Sequence, residues 1–443
     1  SSMARSPGCL PDRLGYDSGM MTPLFHIIGM PYVPGIGRGR LQRGMKDSPA
    51  GKIVMLDQPL THSFESLPAG VVMIDGAPFS HSLIPLLGSG VPCILVTRSQ
   101  AKGLQAGMEL LIDGTTGLLT TDLSEYISSQ EPLVAGSVST TRDGEVVSLR
   151  VSARSQRAVQ RAVESGAEAI GLLRSEFLFP EDERLPDAAF YRSAFRKLCE
   201  TAAGLPLTIR LFDVAAGKRP SWLPLAPVDA GVLGRQGVRL YAGEPVHGIY
   251  LAQAKAIAAL APEYEVRVLL PYVSDLAELQ YWHDDIRRQL AYPLSIGGMA
   301  ETPAAALQLR EWLEAVEFVA IGCNDLMQCL FGADRDEPGL YRYLDPYAPA
   351  LYRFLQQVAD AVQDRLDAVQ LCGVLPQLPG ILPLLLGLGY RVFSVEATLL
   401  PHLWSTIAGT HAGEARMLAE RVCRAKSSAA VREILGQTGH RQS

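Results

Sequence analysis

The sequence predicts an α/β protein, a (β/α)8 TIM barrel preceded by a smaller domain that mixes strands and helix. Two observations support this fold class. From about residue 146 onward, eight apolar runs of strand length alternate with amphipathic stretches, whereas residues 25–125 carry shorter runs separated by turn residues. Continuous apolar runs are typical of parallel strands covered on both faces, and about 250 residues is the usual size of a (β/α)8 barrel.

The smaller domain is predicted from short runs rich in valine, isoleucine and leucine. They are GKIVML (51–56), GVVMID (70–75), PCILVT (92–97) and MELLID (108–113). One segment of helix length, SHSLIPLLGSG at 80–90, separates the second run from the third. This order predicts a compact domain of sheet and helix over 25–125.

The barrel is predicted from eight runs with helical sequence between them. They are VVSLRVS (146–152), AIGLLR (169–174), LTIRLF (207–212), VRVLLPYV (266–273), PLSIGGMA (293–300), FVAIGC (318–323), VQLCGV (369–374) and RVFSVE (391–396). Segments such as LYRFLQQVADAVQDRL, before the seventh run, are amphipathic. We therefore expect the barrel over 146–425 and a C-terminal tail over 426–443.

Composition indicates what the remaining segments are and argues against nucleic-acid-binding and membrane-spanning proteins. Residues 1–24 lack a signal-peptide core and are expected to be a disordered leader or an expression remnant, and 126–145 are expected to be a linker. Seven scattered cysteines without a CxxC pair fit reduced thiols and a cytoplasmic location. The net charge of −6 predicts no nucleic-acid partner. No apolar run reaches the ~20 residues that span a membrane.

Polar residues stand where the barrel runs end. The set comprises Arg174, Arg210, Glu301, Asn324, Asp325 and Cys372, from the second, third, fifth, sixth and seventh runs. The C-terminal strand ends of a (β/α)8 barrel converge on one mouth. Polar groups from five runs are therefore expected to face one small volume.

The residue types in this set predict a small polyanionic ligand. Glu301 and Asp325 are hard oxygen ligands on neighbouring strands, which suit Mg²⁺ with water or substrate completing its shell. Arg174, Arg210 and Arg335 offer planar guanidinium groups that match carboxylate and phosphate. A thiol at the same mouth adds a group able to move a proton.

Each residue also has a structural interpretation. The alternatives are a helix cap for Glu301, a helix start for Asn324 and Asp325, an ion pair with Glu176 for Arg174, and a buried thiol for Cys372. Their joint occurrence at successive strand ends favours the functional interpretation.

Five segments carry a resemblance to known enzymes. They are GAEAIGLLRSEFLF (166–179), IRLFDVAAGK (209–218), IGGMAETPAAAL (296–307), IGCNDLMQCLFGADR (321–335) and LCGV (371–374). In order along the barrel they resemble the motifs of the phosphoenolpyruvate (PEP)-utilising family, which includes phosphotransferase-system Enzyme I, PEP synthase and pyruvate phosphate dikinase. The resemblance implies that Arg174, Arg210 and Arg335 bind PEP, and that Glu301 and Asp325 hold Mg²⁺ and take part in substrate binding.

The resemblance implies roles for three further residues. Asn324 would touch the substrate phosphate or its surroundings, and Cys372 would protonate the enolate to give pyruvate. Residues 76–92, GAPFSHSLIPLLGSGVP, are similar to the family's phosphohistidine segment, which makes His81 the nucleophile on a swivelling domain. A helix opening at His81 would offer free N–H groups to a phosphorylated imidazole. Without the resemblance, His81 is simply a helix-start residue.

Several positions depart from the family motifs. They include Ala77 and Pro78 before the histidine, Pro85, Leu86 and Leu87 after it, Gln236 in place of an arginine, and Val374 in place of a glutamate. Pro85 is expected to shorten the helix. Neither an ATP-grasp domain nor a carrier-docking insertion is recognised, so we expect a stand-alone half-enzyme.

The resemblance implies Mg²⁺-dependent phosphoryl transfer from PEP to His81, giving pyruvate, or the reverse. Onward transfer would go to an unidentified protein or small molecule. Two alternatives stay open: C–C or C–P chemistry on a pyruvate enolate without phosphohistidine, and a non-catalytic PEP sensor or regulatory subunit. The resemblance also implies a homodimer through the barrel.

Overall fold

The structure is a computed structural model that describes residues 25–45, 47–57, 64, 66–123, 139–180, 184–214, 220, 222–223, 233–290 and 292–436. The predicted leader and residues 126–138 of the predicted linker lie outside the described residues. Among the described helices, none combines the length and apolar character needed to cross a bilayer.

An eight-stranded mixed sheet forms the smaller domain. Its strands are β1 (His26–Ile28), β2 (Met30–Val33), β3 (Ile36–Arg43), β4 (Ile53–Leu56), β5 (Gly70–Ile74), β6 (Cys93–Val96), β7 (Glu109–Asp113) and β8 (Leu118–Thr120). The order is β1-β8-β7-β3-β4-β5-β6-β2, with β3 to β6 parallel and the outer pairings antiparallel. The four predicted runs coincide with β4 to β7.

The helix of this domain is shorter than predicted. Helix α1 spans only Ile84–Leu87, with Pro85 in its first turn, and His81 lies in the turn that precedes it. Proline is accepted in the first turn of a helix but not further in, because it lacks an N–H group and its ring clashes with the preceding turn. The expectation that a helix opens at His81 is therefore wrong.

The barrel has eight parallel strands, which confirms the predicted fold class. They are β10 (Val146–Ala153), β11 (Ile170–Arg174), β12 (Leu207–Arg210), β13 (Val266–Val273), β14 (Ser295–Ala300), β15 (Val319–Gly322), β16 (Val369–Cys372) and β17 (Val392–Val395). Each pairs with the next, and β10 pairs with both β11 and β17, so the sheet closes. A short strand, β9 (Ser139–Thr140), runs antiparallel to β10, so this end of the predicted linker pairs with the barrel.

Helices surround the barrel strands. They are α2 (Gln156–Glu164), α3 (Ala188–Thr201), α4 (Val246–Leu260), α5 (Leu276–Gln289), α6 (Pro303–Ala306), α7 (Leu309–Ala315), α8 (Cys323–Phe331), α9 (Pro349–Ala361), α10 (Ile381–Gly387), α11 (Leu400–Gly409), α12 (Ala412–Arg424) and α13 (Ser428–Ile434). Ser155, Asp187 and Asp275 cap α2, α3 and α5 by accepting backbone N–H groups. Strands covered by helices outside and by packed side chains inside explain the continuous apolar runs.

The smaller domain is docked at the mouth of the barrel, where the strands end. Apolar side chains of both domains, including Leu83 and Leu87 on one side and Leu399 on the other, belong to one buried cluster. The carbonyl groups at the end of α1 accept hydrogen bonds from the barrel: Leu87 from the Thr398 hydroxyl at 2.5 Å, and Gly88 from Arg161 at 2.7 Å. This docking brings the turn of His81 to the strand ends.

Candidate active site

A cavity of about 710 Å³ lies at the C-terminal ends of the barrel strands. The structure brings all the sequence-predicted site residues to its lining: His81, Arg174, Arg210, Glu301, Asn324, Asp325, Arg335 and Cys372. Seven of them come from the barrel and one from the smaller domain. The strand ends therefore face one volume, and the docked domain covers part of it.

Arg210, at the end of β12, is held between two acidic side chains. It forms an ion pair with Glu176 and a second with Asp213 at 2.9 Å, and only 7% of its surface is exposed. Burial opposes its charge, but Glu176 and Asp213 outweigh this and raise the pKa of Arg210 above its ordinary value. The ion pair considered between Glu176 and Arg174 is thus made with Arg210 instead.

Arg174 ends β11 beside Arg210. Burial and then the charge of Arg210 lower the pKa of Arg174 from its ordinary value, although a guanidinium stays protonated in proteins. The Nε atoms of Arg174, Arg210 and Arg335 are buried and have no hydrogen-bond partner among the described residues. Buried donors of this kind are normally paired. Three guanidinium groups that line one cavity are suited to an anion with several acceptor oxygens.

Glu301 and Asp325 form a pair of repelling carboxylates. Glu301 follows β14, is 2% exposed, and accepts a hydrogen bond from the backbone of Tyr272 at 3.0 Å. Burial first, and then the charge of Asp325, raise the pKa of Glu301 well above its ordinary value. Gly322 makes room for Glu301, because a Cβ there would lie 2.6 Å from its Oε1.

This pair fits a divalent cation in its donor chemistry. Two carboxylates that raise each other's cost of ionisation are relieved by a hard cation between them, and Mg²⁺ is commonly bound by one or two carboxylates plus substrate and water. No group of three or more candidate metal ligands occurs in the described part of the chain. Glu301 and Asp325 therefore need oxygens from substrate or water to complete a shell.

Asn324 opens α8 and organises the turn that follows β16. Its side-chain oxygen accepts a hydrogen bond from the backbone of Val374 at 3.0 Å. Gly373 has a φ of +103°, and a Cβ there would lie 2.7 Å from the same oxygen. The glycine is therefore required both by the backbone conformation and by the close approach of the amide. The turn directs Cys372 into the cavity.

Cys372 is a protonated thiol at neutral pH. Burial raises the pKa of Cys372 to about 11. A hydrogen bond from Gln370 Nε2 to the sulfur at 3.1 Å favours the thiolate and partly opposes this rise in pKa. A group that retains its proton at neutral pH, yet lines the cavity, is in the form required of a proton donor.

His81 enters the cavity from the smaller domain. Its Nε2 lies 2.6 Å from Nη2 of Arg335, and the same Nη2 donates to Asp325 at 3.1 and 3.0 Å. Its Nδ1 lies 2.8 Å from Oδ2 of Asp336. One third of the His81 side chain is exposed, at 34%. The imidazole is thus at the surface of the cavity, between a guanidinium and a carboxylate of the barrel.

Several residues around this set are not predicted from the sequence to have an active-site role. They are Glu176 and Asp213 beside Arg210, Gln370 beside Cys372, and Asp336 beside His81. The acids at 176 and 213 follow predicted site arginines by two and three residues, which is a usable signal. Asp336 directly follows Arg335, but only the docked domain reveals its partner.

One known family matches this chain over a range that contains the barrel strands. The family model described as "PEP-utilising enzyme, PEP-binding domain" matches residues 130–412, which is more than half of the chain. This chain belongs to the PEP-utilising enzyme family. The match confirms the predicted resemblance, and it confirms that the chain is an enzyme of this family.

Three relatives of this PEP-utilising enzyme carry names that state an activity. It is 28% identical to the phosphoenolpyruvate-protein phosphotransferase of Haloferax volcanii, over 90% of this chain and 75% of that protein. It is 31% identical to the phosphoenolpyruvate-protein phosphotransferase of Streptomyces coelicolor, over 77% and 63%. It is 24% identical to multiphosphoryl transfer protein 1 of Escherichia coli K12, over 83% and 47%. The chain thus spans less than two thirds of the last two relatives.

Proposed function

We propose that this enzyme transfers a phosphoryl group between PEP and His81 in a Mg²⁺-dependent reaction that releases or consumes pyruvate. The observation that carries the proposal is the position of His81 Nε2, 2.6 Å from Arg335 in a cavity that also holds Arg174, Arg210 and the Glu301–Asp325 pair. A nucleophile supplied by one domain and anion-binding groups supplied by another fit transfer to the protein itself. The names of the relatives support the same reaction class.

The cavity suits PEP as a ligand by charge and by donor geometry. PEP carries a phosphate and a carboxylate, and each matches the paired donors of a guanidinium. The guanidinium groups of Arg174, Arg210 and Arg335, which line the cavity, supply such donors at three points. Glu301 and Asp325 would hold Mg²⁺, which when bound neutralises phosphate charge.

The proposed reaction assigns a task to each remaining group. His81 attacks phosphorus through Nε2, while the arginines hold the phosphoryl oxygens and stabilise charge that builds up in transfer. The leaving group is the enolate of pyruvate. The Cys372 thiol, protonated at neutral pH because its pKa is about 11, delivers a proton to the enolate carbon.

Onward delivery requires His81 to leave the cavity, because the docked domain closes over it. We include in the proposal a swivel of the smaller domain to a separate acceptor, a protein or small molecule, and a return to the barrel. A homodimer through the barrel and a cytoplasmic location complete it. Sedimentation of the purified chain at two concentrations tests the dimer.

The experiment uses PEP labelled in its phosphate, with Mg²⁺ and the purified enzyme. Wild type is expected to acquire acid-labile label and to release an equal amount of pyruvate in the first turnover. His81→Ala should acquire none, whereas the control His411→Ala, at a surface ion pair with Asp143, should label as wild type. Unlabelled wild type that still releases pyruvate would contradict the proposal. Full turnover in His81→Ala would favour enolate chemistry without phosphohistidine.

A further inference from the structure

Asp336 binds His81 at two points across the boundary between the domains. Its Oδ1 accepts a hydrogen bond from the backbone N–H of His81 at 3.0 Å, and its Oδ2 lies 2.8 Å from Nδ1 of the ring. One carboxylate therefore fixes both the main chain and the side chain of the same residue. An asparagine could make both contacts only with the opposite tautomer, because its NH2 group would donate to an unprotonated Nδ1.

These contacts determine which ring nitrogen of His81 carries the proton. A carboxylate only accepts hydrogen bonds, so the Nδ1 of a neutral imidazole beside it must be the N–H. A second observation gives the same result. Nε2 lies 2.6 Å from Nη2 of Arg335, and a guanidinium only donates, so Nε2 must carry the lone pair. The lone pair of Nε2 thus points to Arg335 at the lining of the cavity.

The loop that carries Asp336 is itself fixed in place. The backbone N–H of Asp336 donates to Oδ1 of Asp334 at 2.9 Å, and that of Arg335 donates to the side-chain oxygen of Gln328 at 3.0 Å. Two adjacent residues, Arg335 and Asp336, therefore hold the two nitrogens of one imidazole from a preorganised loop. Supporting contacts of this kind are what keep a reacting group within the tolerance that catalysis needs.

We propose that Asp336 is the positioning residue of the phosphoryl transfer, holding His81 as the Nδ1–H tautomer with Nε2 aimed at the substrate phosphorus. This inference rests on the proposed function and deepens it. It also makes Asp336 a recognition point for docking, because the carboxylate engages the histidine turn only when the smaller domain is seated on the barrel.

The transfer step follows with its bonds and charges balanced. The lone pair of Nε2 forms the new N–P bond, and the P–O bond to the enol oxygen breaks, with the electron pair staying on that oxygen. The proton stays on Nδ1, so the ring gains positive charge as the bond forms. The carboxylate of Asp336, 2.8 Å from Nδ1, is placed to stabilise that developing charge.

The test compares Asp336→Asn with Glu337→Gln in the full chain. Glu337 is the adjacent acid, and its Oε1 accepts the N–H of Gly339, so the control removes the same charge one residue away. Asp336→Asn is expected to slow first-turnover labelling of His81 by about 100-fold, the cost of a misplaced reacting group, with little change in KM for PEP. Glu337→Gln should label at the wild-type rate. Asp336→Glu, which keeps the charge but moves the oxygens, should show an intermediate loss.

A second readout reports the tautomer directly. Nitrogen NMR of histidine-labelled protein is expected to show a protonated Nδ1 and an unprotonated Nε2 for His81 in wild type, and a mixture in Asp336→Asn. A wild-type labelling rate together with an unchanged tautomer in Asp336→Asn would overturn the inference. If wild type takes no label from PEP, the proposed function fails, and the tautomer comparison still decides whether Asp336 orients the ring.

Discussion

The end of helix α1 offers a direct way to loosen the smaller domain from the barrel. Its last carbonyl groups, on Leu87 and Gly88, accept hydrogen bonds from Thr398 and Arg161 of the barrel. The double variant Arg161→Met with Thr398→Val removes both donors and keeps the apolar bulk of the two side chains. Neither residue lines the cavity. We expect the variant to dock less often while its PEP site stays intact.

The size of the effect follows from the two contacts. A hydrogen bond from a charged donor contributes about 1.5–3 kcal/mol and a neutral one about 0.5–1.5 kcal/mol. Both contacts are half-buried, so the lower ends of these ranges apply and together give about 2 kcal/mol. Each 1.4 kcal/mol changes an equilibrium constant tenfold, so the docking equilibrium constant should fall by about 30-fold.

Solution X-ray scattering and first-turnover labelling of His81 measure the two consequences. The radius of gyration should increase in the double variant, and the labelling rate should fall by up to about 30-fold because fewer molecules hold His81 at the cavity. Arg157→Met, an exposed arginine on the same helix α2, is the matched control and should change neither quantity. A double variant with the wild-type scattering curve and labelling rate would refute the reasoning.

Three further predictions concern the cavity. Cys372→Ser should leave labelling of His81 intact but slow pyruvate formation by about 100-fold, since a hydroxyl is a weaker acid. In wild type, pyruvate formation should fall only as the pH rises through the Cys372 pKa of about 11. Loss of pyruvate formation at a lower pH would contradict this role. Gln236→Arg should lower KM for PEP about tenfold in steady-state assays, because a buried cation is added to the lining; an unchanged KM counts against an anionic ligand there. Glu301→Gln should lose Mg²⁺ binding together with activity. It should nevertheless raise the Tm of the metal-free enzyme by about 2 °C, because folding raises the pKa of Glu301 and its charge is therefore destabilising at neutral pH; a lower Tm would contradict the repulsion.

The barrel and its site residues were predictable because their signals are local. Each barrel strand is covered on both faces, so its run is apolar throughout, and a run such as AIGLLR ends in the residue that enters the cavity. Strands of the smaller domain such as β3, with sequence IGRGRLQR, contain glycine and few apolar residues, and the buried positions of β3 do not alternate regularly. Such strands carry no strong periodic signal, and β1, β2, β3 and β8 were accordingly not predicted.

The features that sequence reasoning missed depend on distant partners. Asp336 contacts a residue 255 positions away in the chain, and its role exists only in the docked arrangement. Glu176 is two residues from Arg174, yet it pairs with Arg210 on the next strand. Proximity along the sequence suggested an ion pair between Glu176 and Arg174, whereas the pairing of neighbouring strands places Glu176 beside Arg210.

The guanidinium of Arg335 spans two groups at once, touching Nε2 of the imidazole and the Asp325 carboxylate. The nitrogen assigned as the nucleophile is therefore already engaged by a hydrogen-bond donor. We expect a multiply charged anion to draw the guanidinium away from this nitrogen, whereas a neutral electrophile would leave the contact in place. An anionic substrate would therefore spend part of its binding free energy on breaking the contact between Arg335 and His81, which lowers its measured affinity.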